Sequence, residues 1–372
     1  MKNRSENSIL KNRLIRVAFL TLFIFLIFQL KNYSEFIEKY YTLRTYPFIR
    51  QNLLIAFNWI PFSIGDILIV AGIFTIILTF IRLFSLVFIR KNFPSALQAF
   101  IKLIITLEIT LIIFYLFWGL NYFREPVAER LDISENSYTN AELIEVGTML
   151  IDSANSKRAK LKSEDFERSN DEIYNISSLA ALKFLKVGEN FWLSEPRVKS
   201  SLLGSAMNFI GTAGYFNPFT GEAQVNSQMP IHLRPFVACH EIAHQSGVAG
   251  EDEANFMGFV MGIGSGDELL QYSTYYLTMQ EFMSEIRRTD SLAFKSLKSK
   301  ISEPVLADLK TESQYWSRYR GITSKLSSLF YDNYLKANNQ EAGLKSYNKM
   351  VILSMAYYKR QGKFKQTGDL FP

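Results

Sequence analysis

The chain has 372 residues, of which 48% are hydrophobic and 15% aromatic, and its formal net charge is +6. This length allows two or three structural units, and the aromatic content is high for an ordinary soluble domain. The basic residues gather around apolar runs near the N-terminus and recur singly elsewhere, so binding to nucleic acid is not expected. Cys239 is the only cysteine, which excludes an intrachain disulfide and a cysteine-held structural metal.

The N-terminal third contains three apolar runs. The first covers residues 14–30 and follows several Lys and Arg residues, and the second covers residues 64–82. The third, residues 103–123, finishes in aromatic residues that suit a membrane interface. A helix of such length approaches or crosses a hydrocarbon core of about 30 Å. We therefore predict three transmembrane helices, which make residues 1–123 a membrane anchor in the lipid bilayer.

Two of these runs allow other interpretations. A basic segment before a short apolar stretch also fits a cleaved signal peptide, but no small-x-small cleavage site follows the first run. Pro61 and Gly65 divide the second region, so we expect residues 53–63 to lie at the interface before the span begins. In the third run, Glu108 is a functional candidate by default, yet its closeness to Lys102 favours a local pair near the headgroups.

Basic residues also predict the orientation of the anchor. They are concentrated before the first run and between the second and third runs, which places both segments on the cytoplasmic side by the positive-inside rule. An odd number of spans then puts everything after residue 123 outside the cytoplasm. We expect a multi-pass membrane protein with an extracytoplasmic C-terminal domain.

Residues 124–372 lack another run long enough to span, and helical periodicity dominates. Thr139 and Glu142 form the pattern of a capping box that opens a helix. Residues 196–235 are rich in Gly, Pro, Asn and Ser, and within them residues 222–227 favour a strand. The predicted fold class is mainly α, with three N-terminal transmembrane helices followed by a mostly helical domain that contains a small β element.

The segment HEIAH carries the strongest chemical signal. His240 and His244 are two of three histidines in the chain and lie four positions apart around Glu241. On a helix this spacing puts both imidazoles on one face, where they can bind one metal at about 2.0–2.1 Å. In the H-E-x-x-H pattern, the glutamate is the general base for a metal-activated water that attacks a carbonyl carbon. Three fixed positions are a weak signal alone, but the apolar helical surroundings strengthen it.

A second helix after a Gly-Val-Ala-Gly turn supplies the third ligand. If the two helices are antiparallel, Glu251 faces His244, and Asn255, one turn later, lies beside His240. We predict Glu251 as the third ligand and Asn255 as the acceptor that holds an imidazole N–H. Glu253 points about 200° away around the helix, so only one of the two glutamates can reach the metal. The alternative is that these acids merely favour a helix N-terminus. Two histidines and one carboxylate favour Zn²⁺ over other metals.

These two helices carry a resemblance to known families. The pattern H-E-x-x-H followed by E-x-x-A-N resembles the gluzincin metallopeptidases. The strings WGLNYFREP, YFNPFTGEAQVN and PFVACHEIAHQSGVAGEDEANF resemble an uncharacterised family of bacterial membrane proteins, typical of Bacteroidetes, which carries a domain-of-unknown-function label and is grouped with zincin-like peptidases. The resemblance covers nearly the whole chain. It implies a zincin-like domain over residues 124–372 and a place in the bacterial inner (cytoplasmic) membrane.

The resemblance has two departures and one further implication. The gap of seven positions from His244 to Glu251 is short for a gluzincin, and Asn255 stands where many of these enzymes have Asp. In zincins an edge strand above the metal binds extended substrate by β-augmentation. The predicted strand is placed in sequence to do this, although a plain structural strand is an equal alternative. Its candidate substrate-binding residues are Glu222, Gln224 and Asn226.

A stabiliser of the tetrahedral intermediate is not fixed by the sequence. His232 is one candidate, although a loop histidine eight residues before the motif is more often a bystander. A tyrosine hydroxyl is another, from Tyr272, Tyr275 or Tyr347.

The leading hypothesis is a membrane-anchored zinc metallopeptidase that hydrolyses peptide bonds of a peptide or protein substrate. Cleavage inside the membrane is disfavoured because the motif is far from any span in the sequence. The alternatives are a non-catalytic zinc-binding membrane sensor or scaffold, and a structural protein with a degenerate site.

Overall fold

A computed structural model describes residues 2–131, 133, 138–187, 196–337 and 347–364. In this part of the chain the fold is mostly helical with one small sheet, which confirms the predicted class. A π-helical stretch, Ile37–Thr45, joins the second and third helices. The helices of the N-terminal third are α1 (Lys2–Gln29), α2 (Ser34–Phe36), α3 (Tyr46–Phe57), α4 (Ile64–Phe84) and α5 (Phe93–Phe117).

The rest of the described chain surrounds a short sheet with helices. The helix α10 packs against α8, α11, α12 and the sheet, and most of its side chains are buried. The elements are α6 (Val127–Arg130), α7 (Asn140–Lys160), α8 (Asn170–Val187), β1 (Val198–Ser200), α9 (Gly204–Ile210), β2 (Gly214–Asn217), β3 (Glu222–Val225), α10 (Arg234–Gln245), α11 (Glu251–Ile263), α12 (Glu268–Thr289), α13 (Ser291–Lys298), α14 (Glu303–Ser317), α15 (Ile322–Ala337) and α16 (Tyr347–Phe364).

Within the described residues, three helices are long and apolar enough to cross a membrane, as predicted: Ser8–Asn32, Ile64–Ile89 and Phe93–Phe117. The third lies earlier in the chain than residues 103–123, the range predicted for it. Its start is set by Asn92, whose side chain accepts a hydrogen bond from the Ser95 amide at 3.2 Å. Hydropathy detects an apolar run but not the capping residues that set where a helix begins. The number of spans was therefore predictable from the sequence, and the residues at which they begin and end were not.

Glu108 links two of the spans. The Thr21 hydroxyl of α1 donates a hydrogen bond of 2.6 Å to Glu108 Oε1 of α5. The helices α1 and α5 pack against each other along the membrane. The carboxylate therefore has a structural partner within the helix pair, where the sequence had suggested a pair near Lys102.

The sheet has the order β1-β3-β2, with β1 parallel and β2 antiparallel to β3. The strand β3 is thus paired on both sides, and the prediction that it is a substrate-binding edge strand is wrong. Glu222, Gln224 and Asn226 are at most 1% exposed. The polar side chains of this strand are instead bound by protein groups from other parts of the chain.

Glu222 and Asp66 join the second span to the sheet. Glu222 accepts hydrogen bonds from the Gly65 amide at 2.6 Å and from Lys199 Nζ, also at 2.6 Å. Asp66 accepts one from the Leu202 amide at 2.6 Å and another from the Tyr215 hydroxyl. Carboxylates are favourable here because the first amides of a helix lack partners within the helix. The start of α4 is therefore fixed to β2 and β3.

A buried ion pair crosses the boundary predicted at residue 123. Arg124 donates to both oxygens of Glu38, at 2.9 and 2.7 Å, and both side chains are largely buried. Arg124 Nη1 also donates to the Gly247 carbonyl at 2.8 Å. The connection between the first two spans and the C-terminal part of the chain are thus packed as one unit.

Replacing Arg124 with Leu is expected to destabilise the protein by about 3–5 kcal/mol, because it leaves the Glu38 carboxylate buried without its partner. Thermal unfolding of the detergent-solubilised full chain measures the change. The matched control is Lys160→Leu, whose partner is Glu268 and for which both side chains are exposed, at 55% and 38%; it is expected to cost about 1 kcal/mol or less. Equal effects of the two substitutions would contradict a supporting role of the buried pair.

Candidate metal centre

The helix α10 ends in a tight turn directly after His244. The Gly247 amide donates to the His244 carbonyl at 2.9 Å, and the Val248 amide donates to the Ala243 carbonyl at 3.1 Å. This pair of bonds is a Schellman motif, which needs a left-handed residue after the helix. Gly247 supplies it with φ of +83°. The chain can therefore reverse within five residues and start α11 at Glu251.

Three groups from the membrane side complete this turn. Trp118 Nε1 donates to the His244 carbonyl at 2.9 Å, and the Tyr46 hydroxyl donates to the Gln245 carbonyl at 2.8 Å. Arg124 donates to the carbonyl of Gly247, as described above. The final carbonyls of a helix have no partners within it, so these donors stabilise the helix end that carries a candidate ligand.

The hairpin brings His240, His244 and Glu251 together, with one donor atom of each within 4.8 Å of the others. The two Nε2 atoms are 3.0 Å apart. Glu251 Oε2 lies 3.3 Å from His240 Nε2, and Glu251 Oε1 lies 3.5 Å from His244 Nε2. Ligand atoms bound to one zinc at about 2.0–2.1 Å in tetrahedral geometry are roughly 3.3 Å apart. The donor set and its spacing fit a zinc ion with one open position.

The tautomers of the two histidines add a second argument for a cation. The Val248 carbonyl can only accept, so His244 Nδ1, at 2.7 Å, carries the proton. His240 Nδ1 lies 2.8 Å from Asn255 Oδ1, which is also an acceptor. In neutral rings both Nε2 lone pairs then point at each other and at the Glu251 carboxylate. Such an arrangement is stabilised by positive charge at its centre, which a metal ion or a proton on one imidazole would supply.

The same charge balance is visible in the pKa of His244. Burial lowers this pKa, but the carboxylates of Glu251 and Glu241 and the bond to the Val248 carbonyl outweigh burial and raise it to about 9. Without a metal, a proton on the imidazole is therefore stabilised.

Asn255 and Glu253 distinguish the two faces of α11. Asn255 holds the imidazole of His240, the position that the helical register predicted for it. Glu253 Oε1 instead accepts a hydrogen bond from the Val127 amide at 2.8 Å. Of the two glutamates weighed as third ligand, the structure brings Glu251 into the cluster and directs Glu253 elsewhere.

Glu241 lies on the sheet side of α10 and is 3% exposed. Its Oε2 has no hydrogen-bond partner among the described residues. Burial raises the pKa of Glu241 to about 7, although His240 and His244 oppose this. A Cβ atom at Gly214 of β2 would lie 2.6 Å from Glu241 Oε1, so only glycine lets the strand pass this close. A buried carboxylate with an unused oxygen can act as a proton acceptor.

One side of the cluster of His240, His244 and Glu251 is open to solvent, and aromatic residues cover another side. Glu251 and His240 retain 25% and 14% side-chain exposure. The Trp118 ring packs edge-on against the His244 ring, with centroids 6.1 Å apart, and Phe216 of β2 packs against Trp118 at 5.3 Å. Trp118 directly follows the third span. The motif is distant from the spans in sequence but not in space, so the premise on which intramembrane cleavage was disfavoured does not hold.

Other sequence candidates lie away from this cluster. His232 is buried against Tyr272 and Tyr276, and burial lowers its pKa to about 4. The Tyr272 hydroxyl is bound to Asp308 at 2.5 Å. The side chain of Tyr347 lies outside the described residues. His232 and Tyr272 belong to another part of the helical core, and no catalytic role follows for them.

Sequence reasoning missed the groups that hold the turn and the strand. Trp118 begins a string that carries the family resemblance but indicates no contact with His244, and Tyr46 belongs to no motif. The Val248 carbonyl that orients His244 is a backbone group, which no residue type reveals. Gly214 was detectable only as one of several glycines in a loop-rich segment. Their roles follow from long-range packing.

Comparison with known proteins shows the family. The chain belongs to the family described as "Protein of unknown function (DUF3810)", which matches residues 41–355. No curated protein and no solved structure matches the chain. The match begins in the connection between the first two spans and includes the whole hairpin.

We expect the purified full-length protein to bind one Zn²⁺ per chain. Glu251→Gln removes a ligand charge and should weaken zinc binding by more than about 100-fold, whereas Asn255→Ala should weaken it by about 10–100-fold. The matched control, Glu253→Gln, should bind zinc like the wild type. Elemental analysis and competition with a zinc chelator measure these values. Equal affinities of the two glutamine variants would contradict the ligand assignment.

Proposed function

We propose that this protein is a membrane-anchored zinc metallopeptidase, zincin-like in its site, that hydrolyses peptide bonds. The observation that carries the proposal is the cluster of His240, His244 and Glu251 beside the buried carboxylate of Glu241. Three ligands leave a position open, as in catalytic rather than structural zinc sites. A zinc ion bound there would polarise a carbonyl and lower the pKa of water.

Each residue of the site would then have a separate role in the hydrolysis. Glu241 takes a proton from the attacking water and delivers it to the amine that leaves, so the peptide and water become an acid and an amine. Asn255 and the Val248 carbonyl hold the imidazoles with Nε2 toward the metal. Trp118 fixes the end of the helix that carries His244.

The strand β2 offers the edge that β3 lacks. Among the residues that the structure describes, it pairs with β3 on one side only, and Gly214 lies against Glu241. An extended peptide added to its free edge would pass the general base, with main-chain bonds supplying affinity. We therefore assign substrate pairing to Gly214–Asn217, in place of the residues expected from the sequence.

The proposed location is the bacterial inner membrane, with the site outside the cytoplasm. Residues 33–63 contact the C-terminal part of the chain through Glu38 and Tyr46, and both parts must therefore lie on one side of the bilayer. Three spans satisfy that requirement. The basic N-terminus then lies inside by the positive-inside rule.

A second candidate function is a zinc-binding sensor or scaffold without catalysis. The contacts of Trp118 with His244 and of Asp66 with Tyr215 favour it, because they connect the site to the ends of two spans. A change at the metal would then alter the packing of membrane helices.

Glu241→Gln separates the two functions. The variant should retain zinc, since Glu241 is not a ligand, and should lose hydrolysis by about 10²–10⁴-fold, since its amide cannot accept the proton. Cleavage of a random peptide pool by the purified chain, read by mass spectrometry, gives the rate, and a membrane proteome comparison shows which proteins accumulate. Retained zinc with no cleavage by the wild type would favour the sensor or scaffold.

Gly214→Ala tests the close approach of strand and base. The added methyl would meet Glu241 Oε1 at 2.6 Å and the Gln224 carbonyl at 2.9 Å, so the carboxylate or the strand must move. We expect a loss of hydrolysis of about 10²-fold with zinc content unchanged. The control is Gly266→Ala, where no heavy atom lies within 4 Å of the added carbon. Full activity of the Gly214 variant would exclude a role for this contact.

A further inference from the structure

Two membrane helices end directly at the candidate site. Trp118 follows the last residue of α5 and contacts the ring and the carbonyl of His244. Asp66, in the first turn of α4, binds the Tyr215 hydroxyl of β2. The polar headgroup zone is about 5–8 Å deep on each side of a bilayer. A metal ligand and an edge strand in direct contact with the helix ends therefore lie in or next to that zone.

The connection between the first two spans presents an apolar surface to its surroundings. Phe48 is 70% exposed and Trp59 is 75% exposed. Arg44 lies over the Tyr40 ring at 5.7 Å, and aromatic rings beside basic groups suit the membrane interface. The exposed side chains of this interfacial surface are Phe36, Tyr40, Phe48, Ile55, Trp59 and Phe62.

The lipid bilayer is the occupant that covers this surface. Both ends of the connection are continuous with candidate spans, which end at Asn32 and begin at Ile64. Its opposite face is already buried against the protein through Tyr46 and Leu54. Exposed aromatic area costs about 25 cal/mol per Å² in water, and the headgroup boundary relieves this cost for a segment that the spans hold there.

This placement limits which peptides can reach β2. The strand is tied through Tyr215 to the start of α4, so a peptide that pairs with it runs close to the bilayer surface. A segment next to a membrane anchor is already held at that height, and sharing one bilayer raises its effective concentration.

We infer that the substrates are extended segments of proteins anchored in the same membrane, cleaved at the height of the lipid headgroups. The inference rests on the proposed peptidase activity and adds the substrate class to it. The free edge of β2 binds the main chain of a peptide whatever its sequence. The interfacial surface holds the site at the bilayer, so that segments next to a membrane anchor are favoured as substrates.

The position of the surface is measured with spin labels on the full chain in phospholipid vesicles. Phe48→Cys and Ile55→Cys place labels on the interfacial surface, and Leu292→Cys, at a site 76% exposed on α13, is the control. Cys239 is fully buried and should not react, which the unsubstituted chain verifies. We expect labels 48 and 55 to be shielded from a water-soluble nickel relaxant and label 292 to be accessible. Equal accessibility at all three positions would overturn the membrane placement.

The substrate class is tested with two random-sequence peptide pools that differ only in an N-terminal hexadecanoyl chain. Wild-type protein in vesicles should cleave the acylated pool at least about 10²-fold faster. An extended chain rises about 3.3 Å per residue, so the headgroup zone of about 5–8 Å holds about two residues, and cuts should cluster next to the acylated end. Glu241→Gln in the same vesicles gives the background. A soluble zinc peptidase added to empty vesicles controls for partitioning.

The outcomes separate this inference from the proposed function. Equal rates for the two pools, or cuts scattered along the acylated peptides, would overturn the substrate class and leave the peptidase activity intact. Cleavage of neither pool by the wild type would overturn the peptidase activity together with the inference. Preference for the acylated pool with cuts near the anchor supports both.

Discussion

The end of helix α10 is the constraint on which the candidate centre depends. A helix that stops one residue after a candidate metal ligand leaves carbonyl groups without partners in a buried place. Amides of the turn donate to the Ala243 and His244 carbonyls. Trp118 also donates to the His244 carbonyl, Tyr46 donates to the Gln245 carbonyl, and Arg124 donates to the Gly247 carbonyl in the turn itself. Because these donors come from segments at the membrane, the ligand geometry and the anchor cannot be separated. These contacts support the short interval between His244 and Glu251.

The part of the site that is local in sequence was predictable. His240, His244 and Glu251 are related by helical period and by one tight turn, so spacing alone predicts that they meet. The contacts of Glu222 were not predictable in this way, because its partners Lys199 and Gly65 lie 23 and 157 residues away in the sequence. A polar residue on a strand has the same sequence pattern whether it faces water or a buried amide. The number of membrane spans could also be predicted from the local sequence. The residues at which the spans begin and end could not, because they depend on contacts that the sequence pattern does not show.

Sequence separation is a poor measure of distance from the bilayer. Trp118 and His244 are 126 residues apart and share a hydrogen bond of 2.9 Å. The domain after the third span folds back so that its hairpin rests on the ends of the membrane helices. The candidate site is therefore in direct contact with residues at the ends of two candidate spans.

The bond between Gly65 and Glu222 also orders events during synthesis. The amide at the start of α4 is made 157 residues before the carboxylate that satisfies it. At about 5–20 residues per second, translation leaves this helix end without its partner for roughly 10–30 s. Until the carboxylate of Glu222 is made, the start of α4 lacks the contact that fixes it to the sheet. The first two candidate spans are therefore complete before the later half of the chain can pack against their ends.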